Sequence, residues 1–458
     1  MDKKEVKERV EAYRGELLDR LDKLVAINSE MGEAEADAPF GPGPKKALLA
    51  ALEMLDKDGF TTKNVDNYAG YAEMGSGEQV IGVVGHLDVV PATKEEGWDS
   101  DPYTMTEKDG VLYGRGVSDD KGAVVASMIA MKVIKDMGLP LNKRVRLIMG
   151  TNEENGSKCI EHYVEKEGNV DYGFTPDGEF PCIYGEKGIM FGKYNSKKTN
   201  IIDIKGGTAG NIVCPQVTAK VAAGSYDADK LSAYFDAQEH ASVEVTVDGD
   251  VATIVVTGVA AHASTPTLGT NAISHLFVGL QAAGYEDAFV DFYCTHFGTE
   301  TNGAMLNANL KDEYGDLTLN TGVISMTDGV IEGSIDIRFP VTMTADEVKA
   351  AMDGRLEDEG AVITMGTMVQ DPLFFAPDSP LVTSLYEAYT EVTGDTENKP
   401  MVIGGGTYAK EIANTIAFGC AFPGNDYRIH NTNEWVKIDE LLMQAEIYVH
   451  SIMKLQEL

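Results

Sequence analysis

The stretch VIGVVGHLDVVP, residues 80–91, ends an apolar run with an imidazole and a carboxylate two positions apart. In an extended chain such positions share a face, so His86 and Asp88 point the same way. His86 then reads as a metal ligand, and Asp88 as the acceptor for its second ring nitrogen, fixing the tautomer. The pattern recurs at other apolar runs. RVRLIMGTNEE ends in Glu153 and Glu154, VDYGFTPDGEF carries Asp177, and the helix-opening loop GRGVSDDKG offers Asp119 and Asp120. Late in the chain, IAFGCAFPG runs into NDYRIHNTNEW, which offers His430. Two histidines and several carboxylates without a thiolate suit zinc, manganese or cobalt better than an iron–sulfur cluster or a structural zinc site. More than four candidate ligands point to two ions. A carboxylate shared between ions about 3.5–4 Å apart is the layout of a two-metal hydrolytic centre.

Each piece alone has an ordinary explanation. Paired glutamates after a strand commonly form a solvated turn, and Asp-Asp before a helix is ordinary capping chemistry. Those explanations would have to hold independently, at strand ends that one sheet would bring together.

The elements that must position these residues follow from apolar spacing. Val6, Val10, Tyr13, Leu17, Leu21, Leu24 and Val25 recur at helical spacing, predicting an amphipathic helix over residues 4–26. From 80 to 185 strand-like runs alternate with the helical DDKGAVVASMIAMKVIKDMG, which predicts an α/β layer with a mostly parallel sheet. In such sheets functional residues gather at the carboxyl ends of the strands. After residue 186 short alternating strands appear (VEVTVDGDVATIVVTGV, GVIEGSIDIRFPV), with helices expected at 270–283 and 345–356. Near 380 the first texture returns, ending in a helix at 438–455. The expected organisation is a discontinuous catalytic domain, residues 1–185 and 371–458, interrupted by an α+β lid at 186–370.

At 458 residues the chain exceeds what one compact core usually accommodates. Its formal net charge of −35 argues against a nucleic-acid partner, which requires clustered cations. No run approaches the roughly 20 apolar residues of a membrane span, and the charged N-terminus lacks the apolar core of a secretory signal. The five cysteines are scattered and fit neither a disulfide framework nor a CxxC site, so a cytoplasmic location is expected.

Taken together, GHLDVVP, GRGVSDDKG, TNEENGS, TPDGEFP, AHASTP, GGGTYA and IHNTNEW resemble the aminoacylase–carnosinase family of di-metal peptidases. The spacing is most similar to its bacterial dipeptidase V (Xaa-His dipeptidase-like) branch. The resemblance implies a phosphorylase/hydrolase-like catalytic domain with a large inserted lid. It implies that Asp119 bridges two metals and is joined to Asp120 by a cis peptide, that His86 and Asp177 complete one metal, and that Glu154 and His430 complete the other. Glu153 would be the general base. His262 would stabilise the oxyanion, Asn211 and Arg338 would bind substrate, and the amides of Gly405, Gly406 and Thr407 would hold its terminal carboxylate. Two segments depart from the pattern: GGTAG before Asn211 is a loose match, and Val259 and Ala260 stand where polar or basic residues are more usual. Arg338 could instead pair with a carboxylate of its own domain.

The expected function is hydrolysis of unblocked dipeptides, with deacylation of N-acyl amino acids as the alternative on the same centre. A non-catalytic binder would be favoured by a missing ligand or base, and none is missing. GGGTYAK lacks the spacing and context of a phosphate-binding loop. Because a lid of 185 residues could supply the oxyanion histidine within one chain, a monomer is expected.

Overall fold

The computed structural model describes residues 2–458 and divides the chain into two compact units. Of the described residues, the first comprises 2–185, 375–401 and 406–458, and the second 186–374 with 402–405.

The centre of the first unit is a sheet in which Arg144–Gly150, Val80–His86, Tyr172–Thr175 and Thr415–Ala417 lie side by side, all parallel. The expectation of a mostly parallel sheet needs correction at both flanks. Ala69–Met74 pairs antiparallel with Arg144–Gly150 and with Thr61–Val65, and Thr415–Ala417 meets Ile183 antiparallel. The fold is therefore mixed α/β. The hairpin 61–74 escaped the sequence reading because its outer strand, TTKNV, is mostly exposed and carries little apolar alternation. Asp66 and Asn67 turn it with φ of 54° and 60°, a left-handed geometry that Asp and Asn tolerate.

Every residue of Val80–His86 is buried, as a central strand covered on both faces requires. The helix Lys121–Asp136 packs against that strand and against helix Ile438–Leu455, and Val124, Val125, Met128, Ile129 and Met131 within it are inaccessible. Hence its sequence is apolar nearly all round rather than striped. The opening segment forms two helices, Lys3–Ala12 and Arg14–Val25, where one was expected. At Tyr13 the N–H closes on the Val10 carbonyl at 2.9 Å, a tightened last turn, and Gly15 just beyond weakens helical continuity.

The second unit is built on an antiparallel sheet in the order 242–248, 251–257, 216–222, 203–206, 324–327, 330–339, 188–196 and 362–370, with Thr318–Asn320 paired beside 330–339. Alternating burial in Val251–Thr257 gives the apolar residues to a core shared with helices Ala272–Ala282 and Ala288–His296. The helix expected to reach 356 stops at Ala351; its start is a capping box between Thr344 and Glu347.

Candidate metal centre

The parallel strands deliver His86, the 151–154 turn and Asp177 to one end of the sheet. Close approach there demands small residues. A Cβ on Gly85 would lie 2.6 Å from Asp120 Oδ2, and one on Gly122 would lie 2.0 Å from the Val117 carbonyl. The loop 115–120 thus wraps tightly onto the strand end, and the Asp119–Asp120 peptide is cis. Lys121, fully buried, caps the preceding helical segment by donating to the carbonyls of Leu24 and Ile27, both at 2.9 Å.

Asp119 sits between two imidazoles: Oδ1 lies 3.0 Å from His86 Nε2, and Oδ2 lies 3.0 Å from His430 Nε2. Asp177 Oδ2 is 3.8 Å from His86 Nε2, and Glu154 Oε2 is 3.1 Å from His430 Nε2. Donor atoms of His86, Glu153 and Asp177 also fall within 4.8 Å of one another, as do those of His86, Asp119 and Glu154. His430 reaches the cluster from a loop of left-handed residues, with φ of 56° at Arg428, 62° at His430 and 59° at Asn433. The loop is closed at its base by the Trp435 N–H on the Tyr427 carbonyl at 3.1 Å.

Asp88 contacts the His86 ring, but chiefly through the main chain. The His86 Nδ1 atom lies 3.0 Å from the Asp88 carbonyl and 3.5 Å from Oδ1. The carboxylate instead accepts the backbone N–H groups of Glu153 at 3.0 Å and Glu154 at 3.1 Å. The sequence expectation is that the Asp88 carboxylate faces the ring; the nearer oxygen is that of its main chain.

One residue escaped the sequence reading. Glu434, 1 % exposed, accepts from Arg115 Nη1 at 2.8 Å and from the N–H groups of Gly116, Ser118 and Asp119 at 3.0, 2.9 and 3.1 Å. It therefore clamps the loop that carries Asp119. Its available signal was the tail of IHNTNEW together with the unexplained arginine of GRGVSDDKG.

The electrostatics are those of a site built for cations. Burial, reinforced by Asp177, holds the Glu153 carboxyl well above the usual range, and burial with Asp119 raises Glu154. Asp177 is pushed up to about 7 by burial and by Asp119. Burial opposes charge on both imidazoles, yet the carboxylates prevail: His86 is raised well above its ordinary value and His430 to about 11. Asp119, which burial would raise, is held far below the carboxylate range by His430 and His86. So many buried carboxylates balanced only by protons are a poor resting arrangement without added positive charge. Ligands at about 2.0–2.2 Å from a tetrahedral ion stand roughly 3.3–3.6 Å apart. The separations of these oxygens and ring nitrogens, 3.0, 3.0, 3.1 and 3.8 Å, bracket that spacing, so shifts of a few tenths of an ångström bring them to it. The donor set fits two divalent ions sharing Asp119.

Within the second unit, Asn211 and His262 lie on neighbouring extended segments, joined by Ala263 N–H to Asn211 carbonyl and Val213 N–H to Ala261 carbonyl, both 2.8 Å. Both side chains are exposed. His262 Nδ1 lies 2.7 Å from Ser264 Oγ. Asn320, a second residue that sequence reading missed, donates to the carbonyls of Gly210 and Ile212, both at 3.0 Å, and fixes this ledge. Arg338 is buried and gripped bidentately by Asp336 at 2.7 and 2.8 Å, with Nη1 on the Gly404 carbonyl at 3.0 Å. Pairing with a carboxylate of its own unit thus takes two of the three hydrogen bonds it makes here. Gly405 closes the second unit, while Gly406 and Thr407 return to the first, where Thr407 Oγ1 caps a short turn through Ala409 N–H at 3.1 Å.

The profile of peptidase family M20/M25/M40 matches residues 82–454. A Staphylococcus aureus (strain USA300) protein named provisionally as a dipeptidase is 34% identical, covering 98% of this chain and 99% of its own length. A Bacillus subtilis (strain 168) protein with the same provisional name is 35% identical over 94% of this chain and 96% of its own. The crystal structure of human carnosine dipeptidase 1 shares the fold, with a TM-score of 0.60 at 19% identity, covering 100% of this chain and 99% of that one. With a match spanning all the strand-end ligands, and relatives similar over nearly their full length, the chain belongs to peptidase family M20/M25/M40.

Proposed function

We propose that this protein is a metallo-dipeptidase that hydrolyses the peptide bond of unblocked dipeptides. The family and the dipeptidase names of its full-length relatives support that reading. The observation that carries the chemistry is Asp119, whose two oxygens each lie 3.0 Å from a different imidazole.

His86, Asp177 and Asp119 would hold one divalent ion, and Asp119, Glu154 and His430 the other, with zinc the first candidate and manganese or cobalt the alternatives. Bound ions supply polarisation of the scissile carbonyl and acidification of water. Glu153, not needed as a ligand, takes the proton of the attacking water and passes it to the leaving amine. Asp88 positions both glutamates by holding their amides. Residues 186–370 act as a lid. In it His262 offers a donor to the developing oxyanion and Asn211 binds substrate. Arg338 supports the substrate's terminal carboxylate indirectly, by fixing the Gly404 carbonyl while the amides of Gly405, Gly406 and Thr407 receive the anion. The chain acts in the cytoplasm as a monomer.

Replacing Glu153 by Ala tests the core of this reading. Dipeptide turnover should fall by about 10²–10⁴-fold, the range for a positioned general base. Two metal equivalents, counted by elemental analysis, should remain. Retained turnover would remove Glu153 from the role.

A further inference from the structure

The segment 28–32 has no part in the metal centre, yet it is fixed beside it with unusual thoroughness. Ser29, fully buried, donates from Oγ to the Leu87 carbonyl at 2.6 Å, and its own carbonyl receives the Val89 N–H at 3.4 Å. The Glu30 carboxylate accepts from the Ala92 N–H at 3.2 Å and from the Tyr103 hydroxyl. Gly32 N–H closes on the Phe40 carbonyl at 2.9 Å. These contacts lay the segment along residues 87–92, which follow His86 at the strand end.

What the segment presents there is Met31. The residue is 52% exposed, while its sulfur lies 3.8 Å from Nδ2 of Asn152, itself 1% exposed and immediately before Glu153. A thioether is a weak acceptor, so this buried amide is satisfied poorly, and its oxygen has no partner. A scattered exposed methionine needs no explanation. One tethered by its sulfur to the residue preceding the general base, on a segment pinned by five hydrogen bonds, forms an apolar surface at the edge of the reacting centre. Methionine's soft, unbranched chain suits contact with side chains of varied shape. Glu33 and Glu35, both exposed, follow on the same loop and favour the cationic end of a dipeptide there.

We infer that Met31 is the apolar wall of the subsite for the side chain of the substrate's N-terminal residue, and that it favours large apolar residues at that position. This inference rests on the dipeptidase reading and adds a specificity residue to it.

The test compares kcat/KM for Leu-Gly and Gly-Leu in the metal-loaded wild type, Met31→Ala and Met31→Leu. Truncation to Ala should lower the Leu-Gly to Gly-Leu ratio about tenfold, the scale on which apolar pockets discriminate missing methylene groups. Leu, similar in volume, should keep the ratio within about twofold of wild type. An unchanged ratio in Met31→Ala, or one that rises because Gly-Leu suffers more, would overturn the inference while leaving the dipeptidase reading intact. A wild type that hydrolyses neither dipeptide would overturn both.

Discussion

Glu434 touches neither imidazole, yet it holds the N–H groups of Gly116, Ser118 and Asp119 and the Arg115 guanidinium in one buried carboxylate. Glu434→Gln removes that charge and leaves Arg115 without its carboxylate. Breaking a buried ion pair from one side typically costs about 3–5 kcal/mol. Chemical denaturation should register a loss of that order, accompanied by weaker metal retention because Asp119 loses its fixed backbone. Asp88→Ala should act differently. It frees the Glu153 and Glu154 amides, so metal affinity, read by competition with a chelator, should fall by about 10–100-fold, as for other partners that orient ligands. The reach of the sequence is visible in the same residues. His86, Glu153, Glu154, Asp177 and His430 stood out because metal-ligand types followed successive apolar runs, and Asp119 because paired carboxylates opened the helix between two of them. Glu434 did not, because a glutamate between Asn433 and Trp435 looks like surface until the chain brings Arg115 to it. The carbonyl of Asp88 was equally hidden, since residue types carry no record of main-chain oxygens.

At the scale of elements, the ledge bearing Asn211 and His262 depends on Asn320, which is buried and fixes the carbonyls of Gly210 and Ile212. Asn320→Ala leaves two carbonyls unpaired, at a cost of about 1–3 kcal/mol. On the roles proposed for Asn211 and His262, kcat/KM for a dipeptide should drop between about ten- and a hundredfold, the cost of small misplacements. Metal stoichiometry should be unchanged, and elemental analysis beside steady-state kinetics checks both. Elements with strong periodicity were legible: the final helix was expected at 438–455 and is Ile438–Leu455. The hairpin 61–74 was not, because its polar outer strand resembles a loop until Ala69–Met74 pairs with Arg144–Gly150. That antiparallel flank is why the sheet is mixed. Pairing partners distant in sequence leave no local trace of their direction.

For the whole molecule, the metal centre should make stability depend on pH in a definite sense. Asp177 titrates near 7 in the folded chain against an ordinary 3.8, and Glu153 and Glu154 shift the same way. The metal-free folded state therefore binds more protons than the unfolded chain between those values, and its stability falls as pH rises from about 4 to about 7. His86 and His430, also raised, extend that fall above their ordinary value. Divalent ions take the place of those protons. The Tm gap between metal-loaded and stripped protein should accordingly widen from about pH 5 to about pH 8 in differential scanning calorimetry. Light scattering should give the mass of one 49.4 kDa chain for the active form. The central claim is tested most directly by stripping the protein with chelator, restoring zinc, manganese or cobalt singly, and assaying unblocked dipeptides, a tripeptide and N-acyl amino acids side by side. The account predicts no turnover when stripped, and metal-restored hydrolysis that strongly favours the dipeptides. Dipeptide hydrolysis that survives complete metal removal, or restored activity confined to the N-acyl amino acids, would contradict it.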